Sequence, residues 1–272
     1  ISLMGDAELD EGNIYECLIE AYKHDIRNCW WVVDYNRQSL DSTTADRMFR
    51  RFDDIFETCG WRVVTLKNGK LQRAAFSRPG GKSLEDWIEN CPNADFAVLT
   101  YKGGAAWRER LIADIGGKPH VAKLLDSFDD DGLAALMTNL GGHCIESLMD
   151  AFDSADDERP TLFIAYTVKG YGLPLAGHKD NHSGMMNPAQ IEQLRASMGV
   201  EVGREWEPFA GLGGNIAARL KDFVGQSVLA HKPQEPNAPV IAVPERLPVP
   251  SGDVQSTQSA FGNVLLDLAK SS

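Results

Sequence analysis

Apolar positions follow two rhythms along the first third of the chain. Residues 1–4 form a short apolar run that reads as a strand and leads into Gly5-Asp6. Ile14, Leu18, Ala21 and Tyr22 then recur at helical spacing and predict a helix over about residues 14–27. The run Cys29-Trp30-Trp31-Val32-Val33-Asp34-Tyr35 is almost continuously apolar, as parallel strands buried on both faces are. A helical pattern at 44–57 precedes a further strand at 61–66. This alternation predicts a doubly wound, mostly parallel α/β sheet with helices on both faces. Ligands in such sheets sit beyond the carboxyl ends of the strands.

Residues 68–140 read as helices broken at Gly80-Gly81, Gly103-Gly104 and Gly116-Gly117. A helix at 143–152 and a strand at 161–167 follow, and the strand runs into Lys169-Gly170-Tyr171-Gly172. The polar segment 178–187, rich in His and Asn, has no periodicity and is placed where binding loops occur. A helix resumes at 188–198. Six prolines between His231 and Pro250 mark an extended linker, and residues 257–268 return to a helical pattern. The expected division is a domain at 1–230, a linker at 231–255, and the first helix of a following domain at 256–272. The chain opens in a strand without Met and closes inside a helix, and so reads as an interior piece of a longer polypeptide.

The 272 residues carry 27 basic and 39 acidic side chains, a net charge of −12. That balance argues against electrostatic grip on nucleic acid or an anionic membrane, so any bound anion must be held locally. No apolar run is long enough to span a bilayer, and the first residues lack a signal-peptide layout, which predicts a cytoplasmic location. Five cysteines, widely spaced and without a Cys-x-x-Cys pair, predict reduced and mostly buried thiols.

The candidate chemistry lies in two turns. Asp6 follows the first strand and Asn36 the second, thirty residues on, so adjacent parallel strands place both at one sheet edge. A carboxylate, an amide oxygen and the main-chain carbonyl of Gln38 form a hard oxygen set suited to Mg²⁺, which keeps positions open for phosphate oxygens. The amides after Gly5 offer donors to a diphosphate. Taken singly, each turn is also what Gly, Asp and Asn ordinarily build. His178 and His182 have the spacing of zinc ligands on a helix, but Gly177, Asn181 and Gly184 speak against a helix there. The Asp129-Asp130-Asp131 run is most simply a helix N-terminus.

Gly5-Asp6-Ala7-Glu8 followed thirty residues later by Asn36 resembles the thiamine-diphosphate fingerprint of the transketolase superfamily. Together with Asn36-x-Gln38-x-Leu40-Asp41, Lys169-Gly170-Tyr171-Gly172 and Ser256-Thr257-Gln258-x-Ala260-Phe261-Gly262, it is more similar to the homodimeric type of pyruvate dehydrogenase first component. The resemblance covers most of the chain and departs at Ala7, where the family usually has Gly. It implies thiamine diphosphate and Mg²⁺ as cofactors, with Asp6, Asn36 and Gln38 on the metal, and with Gly5, Ala7 and Glu8 along the diphosphate. It places Lys169 near the reactive carbon of the cofactor, where an ammonium holds a 2-oxo acid carboxylate. It makes His182 the active-site loop histidine, with His178 as its competitor, and assigns Glu11 and Glu16 to carboxylates linking two active sites across a dimer.

The implied activity is oxidative decarboxylation of a 2-oxo acid, pyruvate first, with acyl transfer to lipoyl on a partner acyltransferase. The activating glutamate belongs to the following domain, so this piece alone is expected to be inactive. Two alternatives stand beside it: a transketolase-like two-carbon transferase acting on sugar phosphates, and a non-catalytic assembly module that keeps the fold.

Overall fold

The structure is a computed structural model and describes residues 1–39, 42–46, 48–156, 158–227, 230, 246–249 and 254–271. The chain divides into two compact units, 1–206 and 207–272. Most of the expected linker at 231–255 lies outside the described residues.

In the first unit, β1 (Ser2–Gly5), β2 (Trp30–Tyr35), β5 (Arg62–Leu66) and β6 (Thr161–Tyr166) form a parallel sheet in the order β1-β2-β6-β5. The fold is therefore α/β with a parallel sheet covered by helices on both faces. Gly5 pairs with Asp34 across β1 and β2, so the two turns that follow leave the sheet side by side.

The last strand in sequence occupies the middle of the sheet. Every residue of β6 is buried, and its side chains alternate between two cores. Leu162, Ile164 and Tyr166 join the larger core with Val33, Tyr35 and the helices of one face. Phe163 joins the smaller one with Leu66, Ala151 and Phe152. A run apolar at every position is what a strand covered on both faces requires.

Helix α1 (Gly12–Lys23) follows a 3-10 turn at Asp6–Asp10 and buries Leu18 and Ala21. It ends four residues before the expected limit, because His24 caps it and Asp25 turns into the left-handed region at φ 49°. Helix α2 (Phe49–Thr58) also starts later than its pattern suggests. A small hairpin, β3 (Gln38–Ser39) with β4 (Ser42–Thr43), comes first, and the amide of Thr44 bonds to the carbonyl of Arg37. Between β5 and β6 the chain builds α3 (Lys70–Phe76), α4 (Gly81–Asn90), α5 (Asn93–Lys102), α6 (Gly104–Ile115), α7 (Val121–Leu125), α8 (Asp130–Thr138) and α9 (Ile145–Asp153). Asp129 caps α8, its carboxylate accepting from the Gly132 amide at 2.7 Å, as the acidic run predicts. After β6 comes α10 (Pro188–Ser197).

The second unit contains α11 (Gly214–Gln226) and α12 (Thr257–Ser271). All five cysteines are free, but only Cys144 is buried, so the expectation that most are buried fails. Among the described residues no helix is long and apolar enough to cross a membrane.

Candidate cofactor and metal site

The loop after β2 closes over the turn after β1. Arg37 sits in the left-handed region at φ 65°, which directs its amide at Asp6 and lets it donate to Oδ2 at 2.9 Å. One residue earlier, the Asn36 side-chain oxygen accepts from the Gln38 amide at 3.0 Å, an Asx turn that fixes the loop. A carbonyl oxygen has two lone pairs, so Asn36 keeps one for another partner.

Asp6 is only 3% exposed, and its Oδ1 has no hydrogen-bond partner. Burial pushes its carboxyl up to about 6, against the Arg37 amide that lowers it, with the nearby Asp34 raising it further. A buried, half-satisfied carboxylate under the loop that carries Asn36 fits a hard divalent cation, which would supply the missing partner and offset the desolvation. Among the described residues no group of three or more His, Cys, Asp or Glu is placed to hold a metal, so one carboxylate with neutral oxygens is the set available.

Two small cavities flank this loop. Asp6 and Ala7 line one of about 160 Å³, together with Tyr35, Thr44 and Met48. Asn36, Arg37, Gln38 and Lys169 line the other, against Phe96 and Thr100 of α5. The turn that carries Lys169 is clamped from two sides. The amide of Val168 donates to His143 Nε2 at 2.8 Å, and the His143 ring stacks on Tyr171 with centroids 3.8 Å apart. Asn181, from the His- and Asn-rich segment, donates to the Lys169 carbonyl at 2.5 Å. Gly170, at φ 71°, lies against it so closely that an added Cβ would come within 2.7 Å of its side chain.

No family model matches the chain. The chain is similar to pyruvate dehydrogenase E1 components. It is 27% identical over 197 residues to that of Corynebacterium glutamicum and 26% identical over 198 residues to that of Escherichia coli K12, in each case 71% of this chain. The Buchnera aphidicola protein from Acyrthosiphon pisum is 22% identical over 255 residues, 84% of the chain. The matches span 20%, 22% and 28% of these E1 relatives.

Of the residues that the E1 resemblance assigns, Asp6, Asn36, Gln38 and Lys169 come together around one loop. Ala7 lies in the 3-10 turn with a negative φ, so its methyl adds no backbone strain where the family has Gly. Glu8 folds back, its Oε1 accepting from the Gly5 amide at 3.0 Å. Glu11 is the N-cap of α1 and Glu16 lies on that helix, both exposed. His182 is exposed in a run of turns, and His178 tilts against Tyr101 at 4.6 Å with its Nδ1 accepting from the Asp180 amide. Neither histidine stands on a helix.

Two residues escaped the sequence reading. His143 was legible only through Gly141-Gly142 before it. Cβ atoms there would meet the Leu66 carbonyl oxygen at 2.3 Å and the Tyr166 carbonyl oxygen at 2.6 Å, so this turn is pressed against the ends of β5 and β6. Nothing local marks the Arg37 guanidinium as packed 4.2 Å over the Phe96 ring.

Proposed function

We propose that this chain forms the metal- and diphosphate-binding part of a thiamine-diphosphate-dependent 2-oxo acid dehydrogenase of the E1 type, with pyruvate as substrate. The observation that carries this reading is the buried Asp6 carboxylate, with one oxygen held by the Arg37 amide and the other without a partner, beside the Asn36 turn. The likeness to E1 components adds independent support.

In this reading Asp6, Asn36 and the Gln38 carbonyl hold Mg²⁺, and the first amides of the 3-10 turn face the diphosphate. When bound, the cofactor supplies the electron sink for decarboxylation. The protein contributes position and charge. Lys169, on a turn fixed by His143 and Asn181, presents an ammonium to the substrate carboxylate and to the charge that develops on decarboxylation. His182, free of the sheet and exposed, serves as the mobile acid or base of acyl transfer to lipoyl on a partner acyltransferase. A homodimer with Glu11 and Glu16 between its active sites completes the reading.

The test is calorimetric titration of the full-length protein with thiamine diphosphate, with and without Mg²⁺, repeated for Asp6→Ala and Asn36→Ala. Mg²⁺-dependent binding that both changes abolish is the expected result. Absence of binding would leave the fold as an assembly module.

A further inference from the structure

Beyond the carboxyl ends of β2, β5 and β6 lies a third cavity, of about 230 Å³. It has room for several waters or for a small metabolite in their place. Its lining includes Arg37, Lys67 and Tyr166 but neither Asp6 nor Lys169.

The polar groups here are donors in search of an acceptor. Tyr166 is 2% exposed, and its hydroxyl has no hydrogen-bond partner. Arg37 spends one N–H on the Thr167 carbonyl at 3.4 Å and rests on the Phe96 and Tyr166 rings. Among the described residues no carboxylate pairs with it, although a guanidinium presents five donors. Lys67 also borders the cavity, but its ammonium is already bridged to Glu89 at 2.8 Å. Asp46 is the second carboxylate of the lining and accepts from the Asn93 amide at 2.9 Å.

That balance selects the ligand. Among the described residues two cations and two carboxylates border the space: Lys67 and Glu89 pair with each other, Asp46 is held by a main-chain amide, and the guanidinium keeps unspent donors. A monoanion completes Arg37, whereas a dianion would also meet Glu89 and Asp46. A planar carboxylate matches the fork of a guanidinium and can accept the Tyr166 proton as well. The Phe49, Phe96 and Tyr35 rings offer contact to a short apolar body. We propose that this cavity binds a small aliphatic monocarboxylate through Arg37 and Tyr166. The Arg37 amide also holds Asp6, so the residue that would bind the carboxylate belongs to the loop that closes over the neighbouring site.

The proposal does not rest on the thiamine-diphosphate reading, and its test is made without cofactor or metal. Saturation-transfer NMR of the protein with propionate is compared with propionamide and inorganic phosphate. Saturable propionate binding, with neither of the others binding comparably, is expected. Arg37→Asn, which tolerates the left-handed backbone, should weaken it at least tenfold. Tyr166→Phe, which keeps the ring and the fold, should weaken it several-fold. No saturable propionate binding, equal binding of propionamide or phosphate, or wild-type affinity in either folded variant overturns the proposal. Should Arg37→Asn not fold, Tyr166→Phe decides alone.

Discussion

The amide of Arg37 donates to the carboxylate of Asp6 across two parallel strands, 31 residues apart in sequence and 2.9 Å in space. The bond organises the candidate site, since it fixes one oxygen of Asp6 and leaves the other buried and unshared. It also ties the Asp6 turn to a side chain that borders a separate cavity.

Asp6→Asn separates the cost of that carboxylate from its use. The folded carboxyl is raised to about 6 from 3.8, so the folded state binds the proton more tightly than the unfolded one. Without metal, stability therefore falls as pH rises from about 4 to about 6. At about 1.4 kcal/mol per pH unit, the loss is on the order of 3 kcal/mol. In urea unfolding at pH 7 without metal, the Asp6→Asn variant should be more stable than wild type by about 1 to 3 kcal/mol, and insensitive to Mg²⁺. Wild type should gain stability from Mg²⁺.

His143 carries a second pH dependence, of opposite sign. Burial holds its pKa below the usual histidine value, so the unfolded chain takes up the proton first. Stability is full above the unfolded pKa, near 6.5, and declines as pH falls from there toward the folded value. Protonation converts the acceptor of the Val168 amide into a donor. Hydrogen exchange at Val168, corrected for intrinsic rate, should lose protection as pH falls through the lowered folded-state pKa of His143, and His143→Phe should lose it at every pH at a cost of about 1 to 3 kcal/mol.

Gly170→Ala tests the lysine turn. The backbone at φ 71° and the close approach of Asn181 both oppose a methyl, and the cost should be about 1 to 3 kcal/mol by thermal or chemical unfolding. Asn181→Ala removes both the steric clash and its own bond to the Lys169 carbonyl, so the double variant should lose less stability than the sum of the two single changes.

Asp129→Ala removes the cap of α8 and should cost about 1 kcal/mol without touching the site. Asp129→Asn should restore most of it. Equal stability of all three proteins in chemical denaturation would show that the cap bond contributes nothing.

Local pattern was sufficient for the four strands of the parallel sheet, for most of the helices and for the pairing of the Asp6 and Asn36 turns. Helices repeat their apolar positions at a period of 3.6, buried strands are apolar throughout, and a single helical crossover puts β1 and β2 side by side. The Asp129 cap was equally legible, because its bond spans three residues. Boundaries were lost where a tertiary bond competes with a local one, as when the hairpin at Gln38–Thr43 delays α2.

Other features depend on contacts whose partners lie far apart in sequence. Nothing in residues 161–166 says that this strand enters between β2 and β5. Nothing in Gly141-Gly142-His143 names Val168, 25 residues on, as the donor to the histidine. The sequence by itself determined an α/β chain with oxygen donors at one sheet edge. Tertiary structure alone decided which of those oxygens stays unpaired, which residues clamp Lys169, and that Arg37 and Tyr166 share a cavity. The physical reason is that burial and donor balance are properties of the packed interior, where each group is satisfied or left wanting by neighbours that chain order does not specify.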